Sequence, residues 1–199
     1  MNTEYEATFW PIEKDVMRQK LASVGALLVY PERTMRRANF NLPPSEAIPN
    51  PERTWGRLRD EGDRITMSIK SVTGDTIEDQ KEAEVVIDSL KRGRDFMLAF
   101  GCFEKSYQET KRELWKLDEV EIMIDEWPFL EPFVEIEGKS EEAVKAASEK
   151  LGFDYSKAHF GNVGDFYIQV YGVTFDQIYN KTPRLVFGDP LPFKNLPGK

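Results

Sequence analysis

Hydrophobic and polar residues alternate along much of this chain, and the alternation is sharpest where charge is densest. Residues 4–10 (EYEATFW) read as a strand with Glu4 and Glu6 on one face and Tyr5 and Ala7 on the other. Residues 54–71 (TWGRLRDEGDRITMSIKS) predict a hairpin turning at Asp60-Glu61-Gly62-Asp63. In its second run Ile65, Met67 and Ile69 share one face, and Arg64, Thr66, Ser68 and Lys70 the other. Further strands are expected at 81–88, 105–117, 120–127 and 133–138, with one or two short ones within 26–42.

Helical spacing appears in three places. Residues 11–26 open on Pro11, close near Gly25 and carry an apolar stripe of Ile12, Val16, Met17, Leu21 and Val24. Residues 88–102 predict a helix capped by Asp88, with Gly93 in its interior. Residues 139–153 predict one capped by Ser140, with Ala143, Val144, Ala147 and Leu151 on its apolar face and Gly152 at its end. Two proline-rich stretches punctuate the chain. One is a loop with Pro43, Pro44, Pro49 and Pro51; the other is a C-terminal segment, 181–199, read as an extended arm that could reach a second subunit of a homodimer. The 199 residues fit a single α+β domain, 1–199, with its core in about 1–180.

Glutamate is a poor strand residue, and two on one strand face repel. Yet Glu-x-Glu recurs on three predicted strands, as Glu4/Glu6, Glu82/Glu84 and Glu135/Glu137, while other strands carry Arg57/Arg59, Lys70 and Lys111/Arg112. Exposed strand faces normally mix their polar types. Carboxylates on some strands and cations on others suit a barrel whose charged faces meet in a polar lumen and whose apolar faces pack under helices. Lys111 and Arg112 are neighbours and point to opposite faces, so only one enters the lumen, and Arg112 is the expected one. The basic run Arg33, Arg36, Arg37 reads as a solvated face, with a grip on phosphate as the alternative. The four tryptophans, Trp10, Trp55, Trp115 and Trp127, read as packing residues, with Trp55 beside the basic hairpin the best candidate for stacking on a planar ring.

Composition narrows the chemistry. A net charge of −8 disfavours a nucleic acid partner or an anionic membrane surface. One cysteine excludes an internal disulfide and a cysteine-based zinc site, and one histidine excludes His-rich metal sites. Neither a signal peptide nor a membrane-length apolar run is visible, so a cytoplasmic protein is expected. GNVGDF (161–166) lacks the Gly-Lys-Ser/Thr of a phosphate-binding P-loop and reads as a turn.

Taken in order, the three Glu-x-Glu strands and the basic hairpin resemble the CYTH superfamily, the triphosphate tunnel metalloenzymes. This group includes class IV adenylyl cyclases, thiamine triphosphatases and inorganic triphosphatases. The resemblance covers about residues 1–155 and implies an eight-stranded antiparallel β-barrel, a tunnel or cup, with helices outside. It implies metal ligands at Glu4, Glu6, Asp125, Glu135 and Glu137 for Mg²⁺ or Mn²⁺. Triphosphate contacts fall to Arg57, Arg59, Lys70 and Arg112, and catalytic carboxylates to Glu82 and Glu84. One position departs from the pattern: Thr8 stands where the family has a lysine.

Arginine forks match phosphate oxygens, and carboxylates match hard divalent ions. Without an ion between them, some of the clustered glutamates are expected to have raised pKa values. The implied function is metal-dependent hydrolysis of a triphosphate such as ATP, thiamine triphosphate or tripolyphosphate. The alternatives are a class IV adenylyl cyclase and, given Thr8, a nucleotide or polyphosphate binder that does not turn its ligand over.

Overall fold

The computed structural model describes residues 1–193 other than Ala47 and Pro49. Pro49 of the predicted loop and Pro197 of the predicted arm therefore lie outside the described residues.

Backbone pairing arranges the strands in a ring. In chain order they are β1 (Asn2–Thr3), β2 (Tyr5–Phe9), β3 (Leu27–Asn41), β4 (Thr54–Asp60), β5 (Ile65–Val72), β6 (Gln80–Ile87), β7 (Phe103–Leu117), β8 (Val120–Glu126), β9 (Phe133–Gly138) and β10 (Arg184–Leu185). The pairing order is β1-β6-β5-β4-β3-β7-β8-β9-β2, antiparallel throughout, with β10 added in parallel to β7. Because β1 and β2 are one N-terminal strand broken at Glu4, its first half pairs with β6 and its second with β9. Two bonds hold the break shut: Glu4 N–H donates to the Gln80 carbonyl (2.9 Å) and Gln80 Nε2 to the Glu6 carbonyl (2.9 Å). The result is a nearly closed barrel with nine strand segments on its wall. Counted with the N-terminal strand as one, this is the expected eight.

Five α-helices lie outside it among the described residues: α1 (Lys14–Ser23), α2 (Leu90–Ala99), α3 (Glu141–Lys150), α4 (Gly164–Tyr171) and α5 (Phe175–Asn180). Period-two alternation sends Ala7, Phe9, Ile122, Ile124, Val134 and Ile136 outward, where Met17 and Leu21 of α1 and Val144, Ala147 and Leu151 at α3 cover them. Burying each such aliphatic side chain stabilises the fold by about 1.5–3 kcal/mol. A second outer core, Phe40, Leu58, Met97 and Cys102, lies under α2. Gly93 is the residue that lets α2 sit close, since a Cβ there would meet Ile87 Cδ1 at 2.5 Å and Leu58 Cδ2 at 2.8 Å.

Several local expectations are corrected. The stretch expected to hold one or two short strands is the single 15-residue β3, with register shifts on either side of Pro31, which has no N–H to give the ladder. Helix α1 starts at Lys14, not Pro11, and Val16 is exposed, so the buried stripe is Met17 and Leu21. Ser89, not Asp88, caps α2, its side chain accepting from Arg92 N–H. Ser140 caps α3 as expected, accepting from Ala143 N–H.

The C-terminal region, indistinct in the sequence, forms a cap. Val163, Phe166, Tyr167, Val173, Ile178, Leu185 and Phe193 pack with Trp127, Leu130 and Phe133 in a third core. His159 joins cap to barrel through a two-way backbone bridge with Thr8 (3.0 and 2.9 Å). Within 181–193 the tail is docked through β10 and buried Phe193. No helix among the described residues is long and apolar enough to cross a membrane.

Candidate active site

The inward half of the alternation makes one cavity of about 490 Å³. Glu4, Glu6, Arg57, Arg59, Lys70, Glu82, Glu84, Arg112, Glu135 and Glu137 all line it. Asp125 belongs to the same face of β8 but is not on the cavity wall. It is wholly buried and forks onto Arg112, Oδ1 accepting from Nε (2.8 Å) and Oδ2 from Nη2 (2.5 Å). In this position it orients Arg112.

Register explains the clustering. Glu6 is directly opposite Glu137, and Thr8 opposite Glu135. Lys70 is opposite Glu82, and Ser68 opposite Glu84. Arg57 faces Ser68, while Arg59 faces Thr66 on one side and Arg37 on the other. Lys111 points out of the barrel, where its ammonium pairs with Glu126 (3.1 Å), and Arg112 points in.

Most lumen cations are held by carboxylates. Arg57 Nη2 donates to Glu82 Oε1 (2.7 Å), Arg59 Nε to Glu61 Oε1 (2.8 Å), and Arg112 Nη2 also to Glu135 Oε2 (2.5 Å). Lys70 Nζ sits 2.9 Å from Glu4 Oε2 and 3.9 Å from Glu82 Oε2. Burial would raise the Glu82 carboxyl, but Arg57, a hydrogen bond from Glu4 and Lys70 hold it well below the usual range. Glu135 is likewise lowered, burial being outweighed by Arg112, Lys70 and Arg37.

The remaining carboxylates are short of cations. Burial, added to by the hydrogen bond to Glu82 and by repulsion from Glu6, pushes Glu4 up to about 8 despite Lys70. Burial and the charges of Glu135 and Glu137 push Glu6 up to about 7, and burial with Glu4 nearby takes Glu137 to about 6. Asp125, raised chiefly by burial and then by Glu135, sits at about 6 even with Arg112 against it. The expected pKa elevation is therefore present.

These oxygen donors suit a hard divalent ion, whose charge would relieve their mutual repulsion. Among the described residues, however, no three His, Cys, Asp or Glu side chains stand together as a ready-made ion site. The donor chemistry fits Mg²⁺ or Mn²⁺; the ligands are spread along the wall and not assembled around a point.

The lining also includes residues outside the candidate set, among them Arg37, Glu61 and Tyr179. Arg37, expected on a solvated face, is buried in the lumen with its guanidinium over the Trp127 ring at 4.6 Å. Parity was the available signal: Arg37 is two residues from Asn39, which also lines the cavity, whereas Arg36 points outward. Glu61 sits in the hairpin turn, where polar residues are usually solvated, yet it is buried by its bonds to Arg59 and Arg64. Tyr179 comes from the cap and reaches the cavity because Gly164 leaves room for it; a Cβ there would meet the Tyr179 hydroxyl oxygen at 2.2 Å. Trp55 lines the cavity as well.

A nearly closed antiparallel barrel with carboxylates and guanidiniums facing one another across its lumen defines a class of architecture, and solved structures of that class resemble this chain. A Vibrio parahaemolyticus protein named as a candidate adenylate cyclase superposes with a TM-score of 0.69 at 10% identity, over 82% of this chain and 97% of its own. A conserved hypothetical protein of Pyrococcus furiosus gives 0.65 at 17% identity, over 81% and 98%. A Hippeastrum protein named as a candidate adenylyl cyclase, and described as having a dominant triphosphatase activity, gives 0.51 at 14% identity, over 86% and 97%. No family model and no curated protein matches the chain. At these identities the likeness is one of fold: the chain shares the nearly closed barrel of these structures.

Proposed function

We propose that the chain is a divalent-metal-dependent enzyme that hydrolyses a triphosphate inside its barrel. The observation that carries this is the division of the lumen: guanidiniums of Arg37, Arg57, Arg59 and Arg112 on one part of the wall, and carboxylates with raised pKa on another. A metal-bound triphosphate has the complementary charges, an anion for the first and a cation for the second. The fold neighbours named for cyclase and triphosphatase activity support the reading.

In this scheme Arg57, Arg59, Arg112 and Lys70 bind phosphate oxygens and offset charge that builds in the transition state. Glu82, Glu61 and Asp125 fix the geometry of Arg57, Arg59 and Arg112, so the forks are in place before the ligand arrives. Glu84 is the freer carboxylate, with its side chain 29% exposed and Oε2 at 3.5 and 3.8 Å from Arg57 and Arg59. It is placed to orient a water on a phosphorus and to take the proton as the phosphoanhydride P–O bond breaks. Glu4, Glu6, Glu135 and Glu137 would hold Mg²⁺ or Mn²⁺, which polarises phosphate oxygens when bound.

A second reading is favoured by Trp55, whose indole lines the same cavity and could stack on a base. There ATP would be cyclised: the ribose hydroxyl attacks the α-phosphorus and pyrophosphate leaves. Incubation with tripolyphosphate, ATP and thiamine triphosphate, each with Mg²⁺ and with Mn²⁺, separates the outcomes. Orthophosphate release is expected. Cyclic AMP with pyrophosphate would replace hydrolase by cyclase, and thermal stabilisation without product would leave a binder.

A further inference from the structure

One buried cation in the lumen lacks a counter-ion. Arg37 is 7% exposed, and its one side-chain hydrogen bond is from Nη2 to the neutral Thr110 Oγ1 at 3.0 Å. Among the described residues no carboxylate pairs with it, whereas Arg57, Arg59 and Arg112 each have one. Its direct cross-strand neighbour on β4 is Arg59, a like charge in the closest register position. Burial and then repulsion by Arg57, Arg59 and Arg112 hold its pKa well below the usual arginine range, with the attraction of Asp125 not enough to offset them.

Two adjacent donors there are also unsatisfied. Arg37 Nε and Trp127 Nε1 are both buried without a hydrogen-bond acceptor among the described residues; the Arg37 guanidinium lies 4.6 Å from the Trp127 ring centroid, and both residues line the cavity. Trp127 is itself 8% exposed. A buried donor without a partner costs about 1–3 kcal/mol, more when charged. An acceptor-rich anion in the cavity would satisfy both donors and the guanidinium at once.

We propose that Arg37 and Trp127 form an anion subsite of the tunnel that takes one phosphate group of the ligand, Arg37 by charge and fork and Trp127 by its indole N–H. This rests on the triphosphate reading above and adds to it a specific pair of residues. It also sets Arg37 apart from Arg112: Arg112 is neutralised by the protein, while Arg37 is left for the ligand to neutralise.

The test is calorimetric titration of the full chain with tripolyphosphate, with EDTA and again with Mg²⁺, alongside thermal melts of the free proteins. Wild type is expected to bind, Arg37→Met about 10- to 100-fold more weakly, and Trp127→Phe, which keeps the ring and loses only the donor, about 3- to 10-fold more weakly. Free Arg37→Met is expected to melt no lower than wild type, because an uncompensated buried charge has been removed; a purely structural arginine would lower it. Wild type failing to bind under both conditions would sink the triphosphate reading itself. Wild type binding with Arg37→Met within twofold of it would overturn the subsite and leave that reading standing. Should Arg37→Met not fold, Trp127→Phe decides alone by the same twofold criterion.

Discussion

The arginine wall and the carboxylate wall of the lumen are built from the same alternating strands, yet the protein treats them differently. On β3, β4 and β7 the guanidiniums are mostly neutralised from within, Arg57 by Glu82, Arg59 by Glu61 and Arg112 by Asp125 and Glu135. On β2 and β9, with Glu4 at the strand break, the carboxylates have Lys70 as a shared cation, and three of them are instead shifted toward their protonated forms. The first wall is rigid and ready for an anion. The second is left under-neutralised, so its charge state depends on pH and on any cation that enters.

The largest effect that would sharpen the contrast is on folding. Arg112→Met strips the guanidinium from two buried carboxylates, Asp125 and Glu135. Removing one partner of a buried ion pair costs about 3–5 kcal/mol, and urea denaturation at pH 7 should show that loss. A variant as stable as wild type would mean that the arginine wall is not held together by its ion pairs.

On the other wall the expected loss is functional. Glu137→Gln keeps the shape, removes a carboxylate and relieves repulsion on Glu4 and Glu6. Metal-dependent phosphate release should fall about 100-fold or more, comparable to losing one electrostatic contact to a transition state, while the melting temperature holds or rises. Unchanged activity would remove Glu137 from the proposed metal set.

How much of this could be read from the chain differs between the two walls and the cap. Alternation exposed the lumen because carboxylates on some strands and cations on others are unusual for solvent-facing faces; parity said that only one of Lys111 and Arg112 could enter it, and the eight-stranded barrel came with the resemblance. Arg37 was missed because three arginines within five residues look like a solvated run; parity within a 15-residue strand, not visible across Pro31, was needed to turn one inward. For Asp125 the resemblance gave a carboxylate on β8, while its fork onto Arg112 had no signal in the sequence. The cap was illegible for a different reason. Its helices are six and eight residues long, too short for a clear period, and they are held by a third core whose other half, Trp127 to Phe133, lies some thirty residues upstream in the chain.

Next in size is a dependence on pH in EDTA. A carboxyl whose folded pKa lies above its unfolded value near 4.5 binds a proton only in the folded state between those limits, so stability falls as pH rises through that window. The window runs from about 5 to 8 for Glu4, to 7 for Glu6 and to 6 for Glu137 and Asp125. Glu82 and Glu135 act in the opposite sense, but only below their unfolded values, outside this range. Unfolding free energy in EDTA should therefore drop by about 1–3 kcal/mol from pH 5 to pH 8, and millimolar Mg²⁺ should flatten the curve. A flat curve in EDTA would mean that the carboxylate wall is neutralised in a way its geometry does not show.

The smallest effect bears on Thr8, the position where the resemblance calls for a lysine. Thr8 is buried, directly opposite Glu135 and two residues from Glu6 on the same face of β2. Thr8→Lys would give the carboxylate wall the internal cation that the arginine wall's groups already have as anions. Its ammonium would favour ionised Glu6, so that group would release its proton at lower pH and the fall in stability between pH 5 and pH 7 would shrink. At pH 8 in EDTA the variant should gain about 0.5–1 kcal/mol, the scale of one partly screened ion pair, set against the entropy of ordering a long side chain. At pH 5, where Glu6 is protonated with or without the lysine, the gain should shrink to the part due to ionised Glu135 opposite position 8. A gain of equal size at both values would show that the new ammonium acts through Glu135 or packing and not through Glu6, and Glu6 would then not be short of a cation.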